Sequence, residues 1–188
     1  GVEPTVENIK NGTYRIARPL NVVYQEKTVA DGVCKAYLEF LQSADAQKII
    51  TEKGYVSTND GAQEYKIQSG LTGKIGISGS TSLQPLMIEL AKKFESLQSG
   101  VTVSVSGGGS GTGYKNAKEG VSEFGMISET FNSEKADNCT SYEVAKDGIA
   151  VIVNKANTND NIALDTLKSI YNCEAGDSAV TKWDQVSK

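Results

Sequence analysis

Histidine is absent from this 188-residue chain. That removes His-based metal sites, Ser-His-Asp triads and Cys-His pairs in one step. Cysteine is scarce, and Cys34, Cys139 and Cys173 form an odd set without metal-ligand spacing. Cys34 falls in a helical pattern and reads as a small, partly buried apolar residue. Cys139 and Cys173 lie in polar, loop-like sequence, and their spacing leaves a disulfide between them open. No apolar run nears the roughly 20 residues that span a bilayer as a helix; residues 149–153 are typical of the longest. There is no block of Lys and Arg and no aromatic-basic patch. With net charge −4 and dispersed cations, no nucleic-acid partner is expected. The chain opens on Gly1 and Val2, without Met or a signal segment. Its natural N-terminus is therefore expected upstream, and the compartment is not read from its start.

What is present is one domain's worth of chain, long enough to bury a core, and an unusual pair of loops. Residues 74–87 begin with the apolar run at Ile75, Gly76 and Ile77 and break into Ser78, Gly79, Ser80, Thr81 and Ser82. They then enter a helical pattern carried by Leu83, Leu86, Met87, Leu90, Ala91 and Phe94. A strand turning through small residues into a helix offers N–H and O–H donors at a helix N-terminus, a ready place for an anion. Three hydroxyls plus Gly79 are more than a helix cap requires. Residues 106–113 form a second such loop, with Ser106, Ser110 and Thr112 among glycines.

The remainder of the chain reads as alternating elements. Thr5 caps a short helix that stops at Asn11 and Gly12. Residues 14–24 read as a strand, which Pro19 should confine to an edge or a bend. Residues 28–53 read as helix, broken at Ser43 and closed by Gly54. Residues 57–73 are polar and turn-rich, a linker or surface loop. A regular series follows: strand 75–78, helix 83–96, strand 101–105, helix 114–119, strand 124–127. Such alternation predicts a parallel sheet with helices on both faces, and ligands in such sheets sit beyond the strands' carboxyl ends. Both loops, and Ser128 after the third strand, fall at those ends. Residues 148–154 read as a further strand, 165–171 as a short helix, and 174–178 as loop.

The loops do not match a nucleotide fingerprint. GxGxxG is absent, and Lys115 is not followed by Ser or Thr as a P-loop requires. With Lys115 the only cation nearby, the site is one of dipoles and hydroxyls, suited to a small desolvated anion. Glu129 would repel an anion if it faced the site. An enzyme using a loop Ser as nucleophile lacks a base other than Lys115 and is disfavoured.

At these residues the chain resembles the phosphate-binding proteins of bacterial ABC transporters, PstS-like proteins of the type II periplasmic binding fold. The resemblance rests on residues 77–86, 103–113, 124–126, 145–154 and 164–186, and on residues 1–9, 14–24, 46–50 and 54–56. It implies a three-layer α/β/α sandwich forming one lobe of that fold, with a mainly parallel sheet and an antiparallel crossover strand. The order of segments differs from the family pattern: residues 1–57 resemble its C-terminal segment and 74–157 its N-terminal lobe. Residues 58–73 would be a junction and 158–188 the start of a second lobe, otherwise missing. The chain is then either circularly permuted or cut from a tandem pair.

The resemblance further implies inorganic phosphate as ligand, held by Thr81 and Ser82, by Ser110 and by Ser128, with Ser80, Gly111 and Thr112 adjacent. It implies a membrane permease as partner, an extracytoplasmic (periplasmic or lipoprotein) location, no enzyme activity, and neither cofactor nor metal. Family members often carry Ser where Ile127 stands and Arg where Glu129 stands. A half-site would bind weakly, and the incomplete second lobe could mediate self-association. The alternative is a degenerate binding domain with an assembly or adhesion role and no ligand.

Overall fold

A computed structural model describes residues 1–159, 161–174, 176 and 179–186. Six strands form one mixed sheet: β1 (Ala17–Tyr24), β2 (Val56–Ser57), β3 (Thr72–Gly79), β4 (Gly100–Ser106), β5 (Phe124–Ile127) and β6 (Thr140–Gly148), in the spatial order β2-β6-β1-β5-β3-β4. β3 pairs in parallel with β4 and with β5; β1 runs antiparallel to both β5 and β6, and β2 antiparallel to β6. The sheet is thus parallel where the regular strand-helix alternation lies, and β1 is the antiparallel crossover strand.

The helices are α1 (Val6–Lys10), α2 (Gly32–Leu41), α3 (Ala44–Glu52), α4 (Gln84–Leu97), α5 (Ser110–Glu119) and α6 (Leu164–Tyr171). Local chemistry sets their ends. Thr5 Oγ1 accepts from Asn8 N at 3.2 Å and starts α1, and Gly12 takes φ 77° just beyond its end. Ser43 divides α2 from α3, its hydroxyl accepting from Ala46 N at 3.4 Å. Pro85 sits in the first turn of α4, where its missing N–H costs nothing.

Alternation along β1 explains the two sides of the sheet. Leu20, Val22 and Tyr24 face a large core with α2, α3 and α4; Val23 faces a smaller one with Tyr114 and Ala117 of α5, Ile127 and Ala136. In the large core, Tyr37 meets Phe94 edge-on at 5.0 Å between centroids, and Phe40 lies 5.3 Å from Phe94. Tyr65 joins the cluster, 5.6 Å from Phe40 and 5.7 Å from Phe94. It comes from the stretch between β2 and β3, which has no helix or strand of its own. That stretch is nonetheless tied down: Tyr65 N donates to Asp45 Oδ2 at 2.9 Å, and Ala44 N to Gln63 O at 2.8 Å. It is a surface loop strapped over α2 and α3.

Pro19 lies in a strand with neighbours on both sides, not in an outer one. β5 pairs only with Asn21, Val22 and Val23, however, so at Pro19 the strand has β6 alone beside it, and the register shifts between Leu20 and Asn21. The proline therefore sits where one ladder has ended and the strand bends.

The strand expected at residues 148–154 is displaced. β6 is Thr140–Gly148, built from polar sequence with only Val144 and Ala145 fully buried. The apolar run follows it without regular structure. Ile149 is held by its N–H to Ile16 O and its carbonyl to Tyr14 Oη, whereas Ile152 is 89 % exposed. High β propensity is not enough to make a strand without a partner ladder and a face to bury. Helix α6 forms as expected but buries none of its residues. The loop expected at residues 174–178 falls partly outside the described residues, as does the end of the 158–188 segment.

The cysteines are all free, with Cys34 buried, Cys139 intermediate and Cys173 exposed. Burial pushes the Cys34 thiol up to about 11, with Glu123 adding to the shift. At pH 8 iodoacetamide should therefore modify Cys173 first and Cys34 last in the native protein, as read by peptide mass spectrometry. The Tyr37 hydroxyl is buried with no hydrogen-bond partner among the described residues, and burial pushes its phenol far above the ordinary range. Removing an unsatisfied buried group recovers part of its desolvation cost, so Tyr37→Phe should leave stability unchanged or raise it by about 1 kcal/mol in urea unfolding. A loss of that size would show that the hydroxyl is satisfied.

Candidate anion site at the carboxyl edge of the sheet

The parallel register brings three chain reversals to one edge. Gly79 at the end of β3 lies opposite Met126 of β5, and Ser78 lies opposite Ser106 of β4. Backbone links then lock the reversals together. Ser80 N donates to Met126 O at 2.8 Å, and Gly109 N to Gly79 O at 2.9 Å. Ser128 N donates to Ser110 Oγ at 3.1 Å, and the hydroxyls of Ser110 and Ser128 are 3.4 Å apart.

Helix α5 begins at Ser110, one turn before the expected start at Tyr114. Ser110, Gly111 and Thr112 are therefore its first helical residues, and their N–H groups have no acceptor within the helix. Gly109 precedes them at φ 85° and Gly108 at φ 142°, backbone conformations that glycine adopts without a side-chain penalty. Gly111 is exposed, and a Cβ there would meet nothing within 4 Å.

Other glycines in the motifs serve packing. A Cβ on Gly113 would collide with the Met126 carbonyl, and one on Gly79 would strike the same carbonyl and lie 2.8 Å from Gly113 Cα. A Cβ on Gly125 would collide with Gly113 O. Their absence lets α5 lie directly on β3 and β5.

The candidate residues divide accordingly. Ser80 is 2 % exposed and turned into the fold: its hydroxyl accepts from Leu83 N at 3.4 Å and its carbonyl from Gln84 N at 3.1 Å, so it starts α4. Thr81 is exposed and Ser82 half-buried at the same helix entrance, and among the described residues neither side chain makes a hydrogen bond. Ser110 and Ser128 are half-buried and mutually bonded. Thr112 Oγ1 donates to Gly108 O at 2.7 Å, bracing the glycine turn.

Two residues at the third reversal have clear places. Ile127 is fully buried among Val23, Tyr114, Ala117 and Ala136. Glu129 pairs with Lys135 at 2.5 Å, and Lys135 also lies over the Tyr114 ring, 5.0 Å from its centroid. The hydrogen bond to Glu129 holds the Lys135 ammonium above its ordinary pKa, and burial raises the Tyr114 phenol. The carboxylate is thus neutralised locally. Lys115 is exposed on α5.

Several supports are harder to find in the sequence. Asn21 is 5 % exposed, and its Nδ2 donates to Glu129 O at 2.8 Å. Gln25 Nε2 donates to the carbonyls of Ala117 and Lys118 at the far end of α5. Asn116 Nδ2 donates to Ser78 Oγ at 2.9 Å, and Ser78 is 2.8 Å from Ser122 Oγ, a buried polar link beneath the site. Asn21 left one signal, a lone amide inside the apolar run of β1. The others left none, because their partners are distant in sequence.

The arrangement offers hydroxyl and backbone N–H donors. Among the described residues no group of three or more His, Cys, Asp or Glu could hold a metal ion. The glycine contacts give a sharp contrast: Gly113→Ala should cost about 2–4 kcal/mol in urea unfolding, and Gly111→Ala less than about 0.5 kcal/mol. Equal effects at the two positions would contradict the close packing of α5.

A family model described as a PBP superfamily domain matches residues 58–188. The phosphate-binding protein PstS 2 of Streptococcus agalactiae serotype V is 31 % identical over 189 residues, covering 100 % of this chain and 62 % of that protein. PstS 2 of Streptococcus pneumoniae serotype 4 is 28 % identical over 186 residues, covering 99 % of this chain and 61 % of that protein. The chain thus spans about three-fifths of the length of these curated relatives. A crystal structure of a phosphate ABC transporter, phosphate-binding protein, from S. pneumoniae TIGR4 superposes with TM-score 0.89 at 27 % identity, over 100 % of this chain and 70 % of that one. The mixed sheet and its helices correspond to one lobe of that fold. The chain belongs to the PBP superfamily, and its homologues are phosphate-binding PstS proteins.

Proposed function

We propose that this chain is a solute-binding module of an extracytoplasmic phosphate importer, binding inorganic phosphate at the carboxyl edge of its sheet and working with a membrane permease. It acts as a binding protein and not as an enzyme. The observation that carries this reading is the convergence of three reversals: the free N–H groups of the first turn of α5 stand beside the hydroxyls of Ser110 and Ser128, with Thr81 and Ser82 at the entrance to α4. Helix N-termini and hydroxyl donors favour a compact oxyanion without a fixed cation. The names of the streptococcal relatives agree with this chemistry.

Within the cradle, Thr81, Ser82, Ser110 and Ser128 supply hydroxyls, and Gly111 and Thr112 supply backbone N–H groups. Ser80 assists from below by starting α4. Residues 1–57 and 74–157 form the lobe, 58–73 join them, and 158–188 begin a second lobe. Support for the segment order as a shared property comes from the single 189-residue match that runs through both segments. The lobe alone leaves a bound anion open to water on one side, so its affinity is weak.

Isothermal titration with inorganic phosphate, backed by amide shift mapping, tests the reading. Shifts should concentrate at residues 110–112 and 128. Thr81→Val combined with Ser110→Ala removes two donors and should weaken binding at least about tenfold. Saturable binding that the double variant leaves unchanged would move the ligand elsewhere. Absence of any phosphate-dependent shift would favour the assembly or adhesion role, as would concentration-dependent self-association seen by light scattering.

A further inference from the structure

Strand β1 belongs to a segment far from the anion loops in sequence, yet Asn21 of the strand reaches the third of them, and Gln25, just past the strand's end, reaches the far end of α5. Asn21 lies across from Ile127, the last residue of β5, and donates to Glu129 O at 2.8 Å. That bond spans Ser128, whose own N–H goes to Ser110 Oγ at 3.1 Å. Four residues further on, one past the end of β1, Gln25 donates to Ala117 O at 2.9 Å and Lys118 O at 3.0 Å. Ser110 opens α5, and Gln25 holds the carbonyls at its other end.

We infer that Asn21 is a positioning residue for the anion cradle, fixing the reversal that carries Ser128, with Gln25 anchoring the helix that carries Ser110. The inference rests on the phosphate reading given above. Its physical basis is the position of Asn21. The residue sits between fully buried Leu20 and Val22 in the otherwise apolar stretch from Leu20 to Tyr24, where an amide is costly unless hydrogen-bonded. An apolar residue would suit this strand better, so the amide's contribution lies in the backbone it holds. Without that bond the Glu129 carbonyl loses its donor, and the Ser128 hydroxyl loses its fixed distance to Ser110. Preorganised donors act through such fixed geometry, and a loosened loop must be ordered when the anion binds.

The test uses two readouts on Asn21→Leu, on Asn21→Asp, which keeps the shape but lacks the N–H donor, and on Val23→Ala as a control for lost packing on the same strand. Hydrogen exchange of the Ser128 amide reads the loop without ligand, and phosphate titration reads the cradle. Loss of one hydrogen bond should speed Ser128 exchange and weaken phosphate each by about fivefold to tenfold in both Asn21 variants, and leave both readouts near wild type in Val23→Ala. Unchanged Ser128 exchange in the folded Asn21 variants overturns the inference, as does an equal effect in Val23→Ala. If wild type shows no phosphate-dependent shift, the phosphate reading fails, and the exchange readout still decides whether Asn21 holds the loop.

Discussion

The site depends on a backbone contact that only glycine permits. Gly79, Gly113 and Gly125 meet around the backbone of Met126, with no Cβ at the point where the start of α5 touches the sheet. This closeness puts the first turn of α5 level with the ends of β3 and β5. Its N–H groups then face the same edge as Ser128. A helix held off by ordinary side chains would sit at the usual packing distance, with its N-terminus displaced from the loops.

Polar groups then fix what the glycines bring near. Asn116, Ser78 and Ser122 link α5 to β3 underneath, while Gln25 holds the other end of α5. Each is a hydrogen bond between elements remote in sequence, and buried polar groups of this kind favour one arrangement over its neighbours because the alternatives leave them unpaired. The same economy appears at Glu129. A carboxylate beside a proposed anion site is tolerable because Lys135 pairs with it and Tyr114 faces the ammonium. The proposed cradle itself keeps to dipoles and hydroxyls, whose strength depends on orientation and exclusion of water more than on net charge.

The exposed stretch after β6 shows the other limit of local chemistry. Residues 149–153 have the composition of a buried strand, but among the described residues no strand pairs with them, and only Ile149 is held, by Ile16 O and Tyr14 Oη. Their apolar side chains are largely exposed, as is much of α6. Both segments pack little against the other described residues.

Much was legible in the sequence where short-range rules govern. Thr5, Ser43 and Gly54 marked helix ends because capping involves residues three or four apart. The series from β3 to β5 appeared through periodicity, and the three reversals followed from the rule that parallel strands bring their carboxyl ends together. The same rules misplaced β6, since its polar strand is defined by pairing with β1, some 120 residues earlier in register, as in Leu20 with Ala145. They could not separate Ser80, turned inward to start α4, from Thr81 and Ser82 beside it, because orientation at a helix entrance is set by what packs below. The sequence by itself determined the presence of hydroxyl- and glycine-rich helix entrances and the lack of histidine. Only the tertiary structure decided which hydroxyls remain open, which glycines serve packing, and that Asn21 holds the third reversal, because those outcomes depend on contacts between residues far apart in the chain, 108 positions for Asn21 and Glu129.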